Sequence, residues 1–172
     1  GQENSWLWHP GESDAKATTA AWFWHSGEGV LDTERLFQMY LETVGRNATL
    51  ILNCPPDKTG YLPEATVNRL QDFGKLMRTR FKTDLAKTAT IEVSETRTPG
   101  ANRNYSAANL TDDDKDTYWA TNDRTKSATI TFTWSTEQTL RYLQMMEYIK
   151  LGQRIKNWTV EYTTDGATWT RL

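Results

Sequence analysis

The sequence has few of the residues that build several common kinds of site. Its single cysteine, Cys54, has no second thiol with which to form a disulfide or a cysteine-based metal cluster, and it lies in a short apolar run typical of a buried strand. Lysine and arginine number 20 against 22 aspartate and glutamate, so the formal net charge is -2 and no nucleic-acid partner is predicted. No apolar run approaches the roughly 20 residues of a membrane-spanning helix, so no membrane partner is predicted either.

Aromatic residues, in contrast, are abundant at 12%, with eight tryptophans. Four of these and both histidines share the first 25 residues with a few acidic side chains, in the order Trp6, Trp8, His9, Glu12, Asp14, Trp22, Trp24 and His25. Indole faces stack on the apolar C–H faces of sugar rings, and a glutamate held among aromatic rings tends to stay protonated because it is desolvated. A protonated carboxylic acid is what a glycosidase uses as its general acid. The alternative is an aromatic core segment that happens to include an acidic turn.

The first half of the chain alternates helical and strand-like patterns. Residues 1–30 are predicted to be a loop-rich aromatic segment, followed by a helix with Asp32 or Thr33 as its N-cap. The apolar run over residues 49–54 predicts a parallel strand buried on both faces, and Pro63 opens a second helix. This order is typical of a (β/α) barrel, but two helices with one or two strands can form only part of one.

After about residue 83 the period of the hydrophobic pattern changes from that of a helix to that of a strand. Four segments alternate or are rich in β-forming residues, namely residues 90–93, 128–134, 140–145 and 158–163. Asp165-Gly166 predicts a hairpin turn after the last of them. Several short strands without a helical run predict a β-sandwich. The predicted fold class is therefore α/β over residues 1–83 followed by all-β over residues 84–172.

Two motifs in the first half carry a family resemblance. They are Trp22-Phe23-Trp24-His25 and residues 36–60, which read LFQMYLETVGRNATLILNCPPDKTG. Together they resemble the C-terminal third of the catalytic barrel of alpha-L-fucosidases, over most of residues 8–81. The resemblance implies the last elements of a (β/α)8-type barrel from an exo-acting enzyme that removes terminal alpha-L-fucose from glycans with retention. It also implies a fucosylated glycan as substrate, no required cofactor, a periplasmic or extracellular location, and an N-terminal part of the barrel as partner.

The same resemblance implies roles for particular residues. The segment from Trp8 to Asp14 is similar to a W-x-P-x-E-x-D segment of the family, which implies that Glu12 is the general acid/base, with Glu3 as its nearest rival. The predicted substrate-binding residues are Trp8, Trp22, Trp24 and His25. The family's nucleophile is an aspartate on an earlier strand, for which this sequence has no match. Asn53, at the end of the predicted strand, either lines the site or satisfies a loop backbone.

The second half resembles a different family. Residues 105–120, which read YSAANLTDDDKDTYWA, and residues 147–156 resemble a discoidin-like (coagulation factor 5/8 type C) galactose-binding-fold domain. The resemblance implies a jelly-roll sandwich that lacks its last strands. Some such domains bind sugars and others brace a barrel, so a carbohydrate-binding or structural accessory module without catalysis is the alternative function. Asp112, Asp114 and Asp116 predict a structural calcium site, with a solvated acidic turn as the alternative.

Overall fold

The computed structural model describes residues 9–100 and 103–172. The chain divides into two compact units, with the boundary between Thr83 and Asp84. Within the described residues, no helix combines the length and the apolar character that crossing a membrane requires.

The first unit contains two parallel strands that alternate with two helices. Strand β1 (Glu12–Lys16) is followed by helix α1 (Thr33–Glu42), strand β2 (Thr49–Asn53) and helix α2 (Glu64–Arg80). The strands pair in parallel through the crossover helix α1, which is the connection that a parallel pair requires. This is the strand–helix repeat from which (β/α) barrels are built.

The register of the two strands defines the two ends of this small sheet, which are called the amino edge and the carboxyl edge below. Glu12 lies opposite Thr49 at the amino edge, and Lys16 lies opposite Asn53 at the carboxyl edge. At a rise of about 3.3 Å per residue, the two edges are about 13 Å apart. The loops that lead into α1 and α2 both leave from the carboxyl edge, which is the edge where sites lie in (β/α) barrels.

Helix α1 is fixed at its start by a cap and along its length by an aromatic core. Asp32 is the N-cap, and its Oδ1 accepts a hydrogen bond from the backbone N–H of Arg35 at 2.7 Å. Leu36 and Phe37 are 1% and 3% exposed. The Phe37 ring lies 5.8 Å from the ring of Phe81, which caps the C-terminus of α2, so this contact joins the two helices.

Two details of the first unit differ from the sequence-based prediction. β1 occupies part of the segment predicted as loop, because pairing with β2 overrides the low strand propensity of Glu-Ser-Asp-Ala-Lys. The side chain of Ile51 in β2 is 46% exposed, so the described residues do not bury this strand on both faces.

The second unit contains two antiparallel strand pairs joined by irregular segments. Strand β3 (Thr90–Val93) pairs with β4 (Ile130–Thr133), and β5 (Glu161–Tyr162) pairs with β6 (Thr170–Arg171). The predicted hairpin turn is present between β5 and β6, with Gly166 at φ 72°. Asp165 stabilises this turn because its Oδ1 accepts hydrogen bonds from the backbone N–H groups of Ala167 and Thr168, both at 2.8 Å.

Of the sandwich predicted for the second unit, which lacks its last strands, the described residues form two antiparallel strand pairs. The segment 140–145 was predicted as a strand from its alternation, but it has no strand partner there and is irregular. Alternation makes a segment compatible with a strand, whereas a strand forms only where a neighbouring backbone offers hydrogen bonds. Several large apolar side chains of this region are accordingly exposed, among them Leu143, Met146, Trp158 and Trp169.

Candidate functional site

The connection between β1 and α1 carries the aromatic motif, and residues 17–31 are called the tryptophan loop below. Its two ends run antiparallel. The backbone N–H of Thr19 donates to the carbonyl of Gly29 at 2.9 Å, and that of Leu31 donates to the carbonyl of Ala17 at 2.8 Å. The N–H of Ala17 donates to the carbonyl of Asn53 at 2.9 Å, which extends the ladder beyond the carboxyl edge. The aromatic residues therefore lie between two hydrogen-bonded chain segments that continue the sheet.

Asn53 ties the tip of the tryptophan loop to the end of β2. Its side-chain Nδ2 donates a hydrogen bond of 2.6 Å to the backbone carbonyl of Trp22. The sequence left two alternatives for Asn53, which either lines the site or satisfies a loop backbone. The structure shows the second, because the Asn53 side chain hydrogen-bonds the backbone of the tryptophan loop. This bond links the first tryptophan of the motif to the carboxyl edge.

Glu28, near the end of the same loop, binds the backbone that directly precedes Trp22. Its Oε1 accepts hydrogen bonds from the backbone N–H groups of Ala21 at 2.5 Å and Ala20 at 3.0 Å. The hydrogen bond from Ala21, and to a lesser extent that from Ala20, favours the charged carboxylate and holds the pKa of Glu28 below its ordinary value. The nearby His25 lowers this pKa as well. The second oxygen, Oε2, is buried and has no hydrogen-bond partner among the described residues.

A small cavity opens between the tryptophan loop and the start of α2. Its volume is about 160 Å³, and its lining includes Trp24, His25, Glu28, Pro55, Pro63 and Thr66. The ammonium group of Lys58, from the loop after β2, lies 5.9 Å from the centroid of the Trp24 ring. Binding sites for small molecules usually enclose about 300–1,000 Å³. This cavity is therefore large enough to form only part of a sugar site.

The structure brings together three of the four predicted substrate-binding residues. Trp22, Trp24 and His25 all lie in the tryptophan loop at the carboxyl edge, with Trp22 42% exposed. The fourth, Trp8, lies outside the described residues. Trp24 and His25 line the small cavity, whereas Trp22 is not among its lining residues, and the sugar-binding role of all three stays a prediction.

Glu12, the predicted acid/base, does not lie in this cluster. It is the first residue of β1, at the amino edge, and its side chain is exposed. The strand itself separates it from the tryptophan loop, although only nine residues lie between Glu12 and Trp22 in the sequence. Trp22 and Trp24, which flank Glu12 in the sequence, therefore do not lie beside it in β1, and the acid/base role of Glu12 stays a prediction. Its rival Glu3 lies outside the described residues.

Two residues of the site were missed from the sequence. Glu28 follows the aromatic motif by only three residues, but no spacing rule distinguishes a carboxylate that binds backbone N–H groups from a solvated one. Lys58 belongs to a segment predicted only as a turn, and its approach to Trp24 depends on the parallel pairing that places the two loops at one edge.

The acidic turn of the second unit is held by internal contacts. Asp112 accepts hydrogen bonds from the backbone N–H of Asp114 at 2.9 Å and from the hydroxyl of Thr117 at 2.6 Å. Asp114 accepts one from the N–H of Asp116, and Asp116 forms an ion pair with Lys150. Residues 9–100 and 103–172 contain no group of three or more histidine, cysteine or acidic side chains arranged to hold a metal ion. Calcium at this turn remains a prediction that the geometry does not support.

The two halves of the chain match two family models. Residues 2–81 match the model described as alpha-L-fucosidase, and residues 90–172 match the model described as F5/8 type C domain. The resemblance predicted for each half is therefore confirmed.

Relatives whose alignments run across both halves of the chain are also found. "Alpha-L-fucosidase 1" of Arabidopsis thaliana is 27% identical over 168 residues, which are 97% of this chain and 30% of that protein. A glycoside hydrolase family 29 fucosidase of Ruminococcus gnavus, solved in complex with fucose, is 39% identical and superposes with a TM-score of 0.89. That alignment covers 100% of this chain and 34% of the solved chain. The chain thus spans about a third of the length of the proteins it resembles.

Proposed function

We propose that this chain is the C-terminal portion of an alpha-L-fucosidase that hydrolyses terminal alpha-L-fucose from glycans with retention of configuration. The observation that carries the proposal is the similarity over the whole chain to a fucosidase solved with fucose, at 39% identity and a TM-score of 0.89. The first unit would complete the catalytic barrel with two strands and two helices, and its partner would be the preceding part of that barrel. A periplasmic or extracellular location belongs to the same proposal.

In this proposal the tryptophan loop forms one wall of the sugar site. Trp22, Trp24 and His25 lie at the carboxyl edge, where a barrel binds its substrate, and Trp24 lines the adjoining cavity. The small volume of that cavity fits a site whose remaining walls come from other barrel elements. The loop would thus supply apolar contacts to the sugar while the reacting carboxylates come from elsewhere.

The direct test is hydrolysis of an aryl alpha-L-fucoside by the full-length enzyme, with the anomer of the first product followed by NMR. Release of alpha-fucose supports a retaining fucosidase. Release of beta-fucose contradicts retention, and absence of turnover with fucosides alongside turnover of another glycoside contradicts the substrate.

Replacing Trp24 tests the role of the loop. Trp24→Ala in the full-length enzyme is expected to raise KM for the aryl fucoside by about tenfold, because a large apolar contact to the sugar is lost. Trp24→Phe retains an aromatic face and is expected to have a smaller effect. Trp158→Ala removes a tryptophan that is 60% exposed in the second unit and serves as the matched control. An unchanged KM in Trp24→Ala would exclude the sugar contact.

The position of Glu12 leads us to propose that it is not the acid/base. Glu12→Gln in the full-length enzyme is expected to keep kcat/KM within about tenfold of the parent value, whereas losing a general acid costs about 10²–10⁴-fold. A fucoside with a poor leaving group should be used, because acid assistance matters most there. Glu3→Gln, measured in parallel, tests the rival carboxylate. A loss beyond about 10²-fold in Glu12→Gln for that fucoside, together with azide rescue of the turnover of an aryl fucoside with a good leaving group, would restore the original assignment.

A further inference from the structure

Glu28 makes a contact that the proposed roles of the aromatic residues leave unexplained. A single carboxylate oxygen accepts the N–H groups of both Ala20 and Ala21, the two residues that directly precede Trp22. Hydrogen bonds to an ionised acceptor are about twice as strong as those between neutral groups. The lowered pKa of Glu28 keeps this acceptor charged.

The loop backbone is therefore held at three consecutive residues where the aromatic motif begins. Glu28 binds the backbone of Ala20 and Ala21, and Asn53 donates to the carbonyl of the next residue, Trp22, at 2.6 Å. The hydroxyl of Thr18 adds a bond of 2.6 Å to the carbonyl of Ala21. These contacts fix the backbone that leads into the motif, up to its first residue, Trp22.

We infer that Glu28 is a positioning residue for substrate binding, which clamps the backbone of Ala20 and Ala21 so that Trp22 and Trp24 face the sugar. This inference rests on the proposed function. Glu28 acts through the loop: one oxygen is occupied by two backbone N–H groups and the other is closed off from solvent. A sugar hydroxyl cannot reach Oε2 without displacing part of the loop.

Three substitutions distinguish the positioning role of Glu28 from a direct role of its carboxylate in the chemistry. Glu28→Ala removes the acceptor, and Glu28→Asp withdraws it by one methylene so that it cannot reach both N–H groups. Glu28→Gln is the matched control, because its amide oxygen accepts hydrogen bonds at the same reach without the charge. All three are made in the full-length enzyme.

If Glu28 positions the loop for binding, loss of its hydrogen bonds should change KM and leave kcat nearly unchanged. Glu28→Ala and Glu28→Asp are expected to raise KM for an aryl fucoside by about tenfold and to leave kcat within about threefold, because a preorganised binding loop becomes mobile. Glu28→Gln keeps an acceptor of the same reach but loses the charge that strengthens these bonds, so its KM is expected to rise less than that of Glu28→Ala or Glu28→Asp. A loss confined to kcat would overturn the inference and assign Glu28 to the chemistry. An unchanged KM in both Glu28→Ala and Glu28→Asp would overturn it as well.

A second measurement does not depend on catalysis. Hydrogen–deuterium exchange in a peptide that covers residues 17–31 is expected to accelerate at the amides of Ala20 and Ala21 in Glu28→Asp, and much less in Glu28→Gln. Unchanged exchange would show that Glu28 does not hold the loop. If the parent enzyme has no activity on fucosides, the proposed function fails, while this exchange measurement still decides whether the clamp exists.

Discussion

The 172-residue chain alone is expected to release no measurable fucose from an aryl alpha-L-fucoside, at a rate more than about 10³-fold below that of the full-length enzyme. A retaining glycosidase needs two carboxyl groups about 5–5.5 Å apart across the scissile bond. In the described loops at the carboxyl edge, the carboxylates of Glu28, Asp32 and Asp57 each accept backbone hydrogen bonds from their own or the adjacent loop or helix end. These groups serve local structure, so in the proposed enzyme we expect the reacting pair to come from other residues.

The measurement compares the purified chain with the full-length enzyme at equal molar concentration, using a sensitive aryl fucoside. Adding the separately expressed N-terminal part to the chain is an informative control, because it is expected to restore some turnover if the two parts assemble. Turnover by the chain alone would contradict the prediction. If Glu12→Gln or Glu3→Gln then abolished that turnover, the catalytic group would lie within this chain.

Local features of the first unit could be predicted because the responsible residues are neighbours in sequence. Asp32 caps α1 through a backbone N–H three residues ahead, and Pro63 precedes α2 because its fixed φ suits a helix start. The hairpin at Gly166 depends on a backbone conformation with positive φ that glycine adopts without strain. Each of these features needs only a few consecutive residues.

Features that depend on pairing between distant segments were predicted less well. Glu12 and Trp22 are close in sequence, but the direction of β1 carries them to opposite edges of the sheet. Glu28 and Asn53 gain their roles from the backbone groups that the fold brings to them. The segment 140–145 has the alternation of a strand, yet a strand needs a partner that alternation does not supply.

Phe37→Ala is expected to destabilise the first unit by about 3–5 kcal/mol, a large fraction of the roughly 5–15 kcal/mol that stabilises a typical domain. Phe37 is 3% exposed, and its ring lies 5.8 Å from the ring of Phe81 and 4.3 Å from the guanidinium carbon of Arg80. Truncation would leave a cavity between α1 and α2 and remove the ring on which Arg80 stacks. The pairing of Arg80 with Glu34 at 2.6 Å would persist, but an ion pair whose carboxylate is exposed contributes little.

Phe23→Ala provides the matched control, because it removes the same ring from a position that is 76% exposed. Its midpoint of urea unfolding, measured on the full-length enzyme by circular dichroism and residual activity, is expected to stay close to that of the parent. Phe37→Leu largely preserves volume and is expected to cost less than Phe37→Ala. Loss of soluble Phe37→Ala protein alongside well-folded Phe23→Ala and Phe37→Leu would agree with the prediction. Equal midpoints for Phe37→Ala and Phe23→Ala would show that this aromatic contact does not hold α1 and α2 together. The carboxyl-edge loops that lead into these helices would then owe their placement to the strand pairing alone.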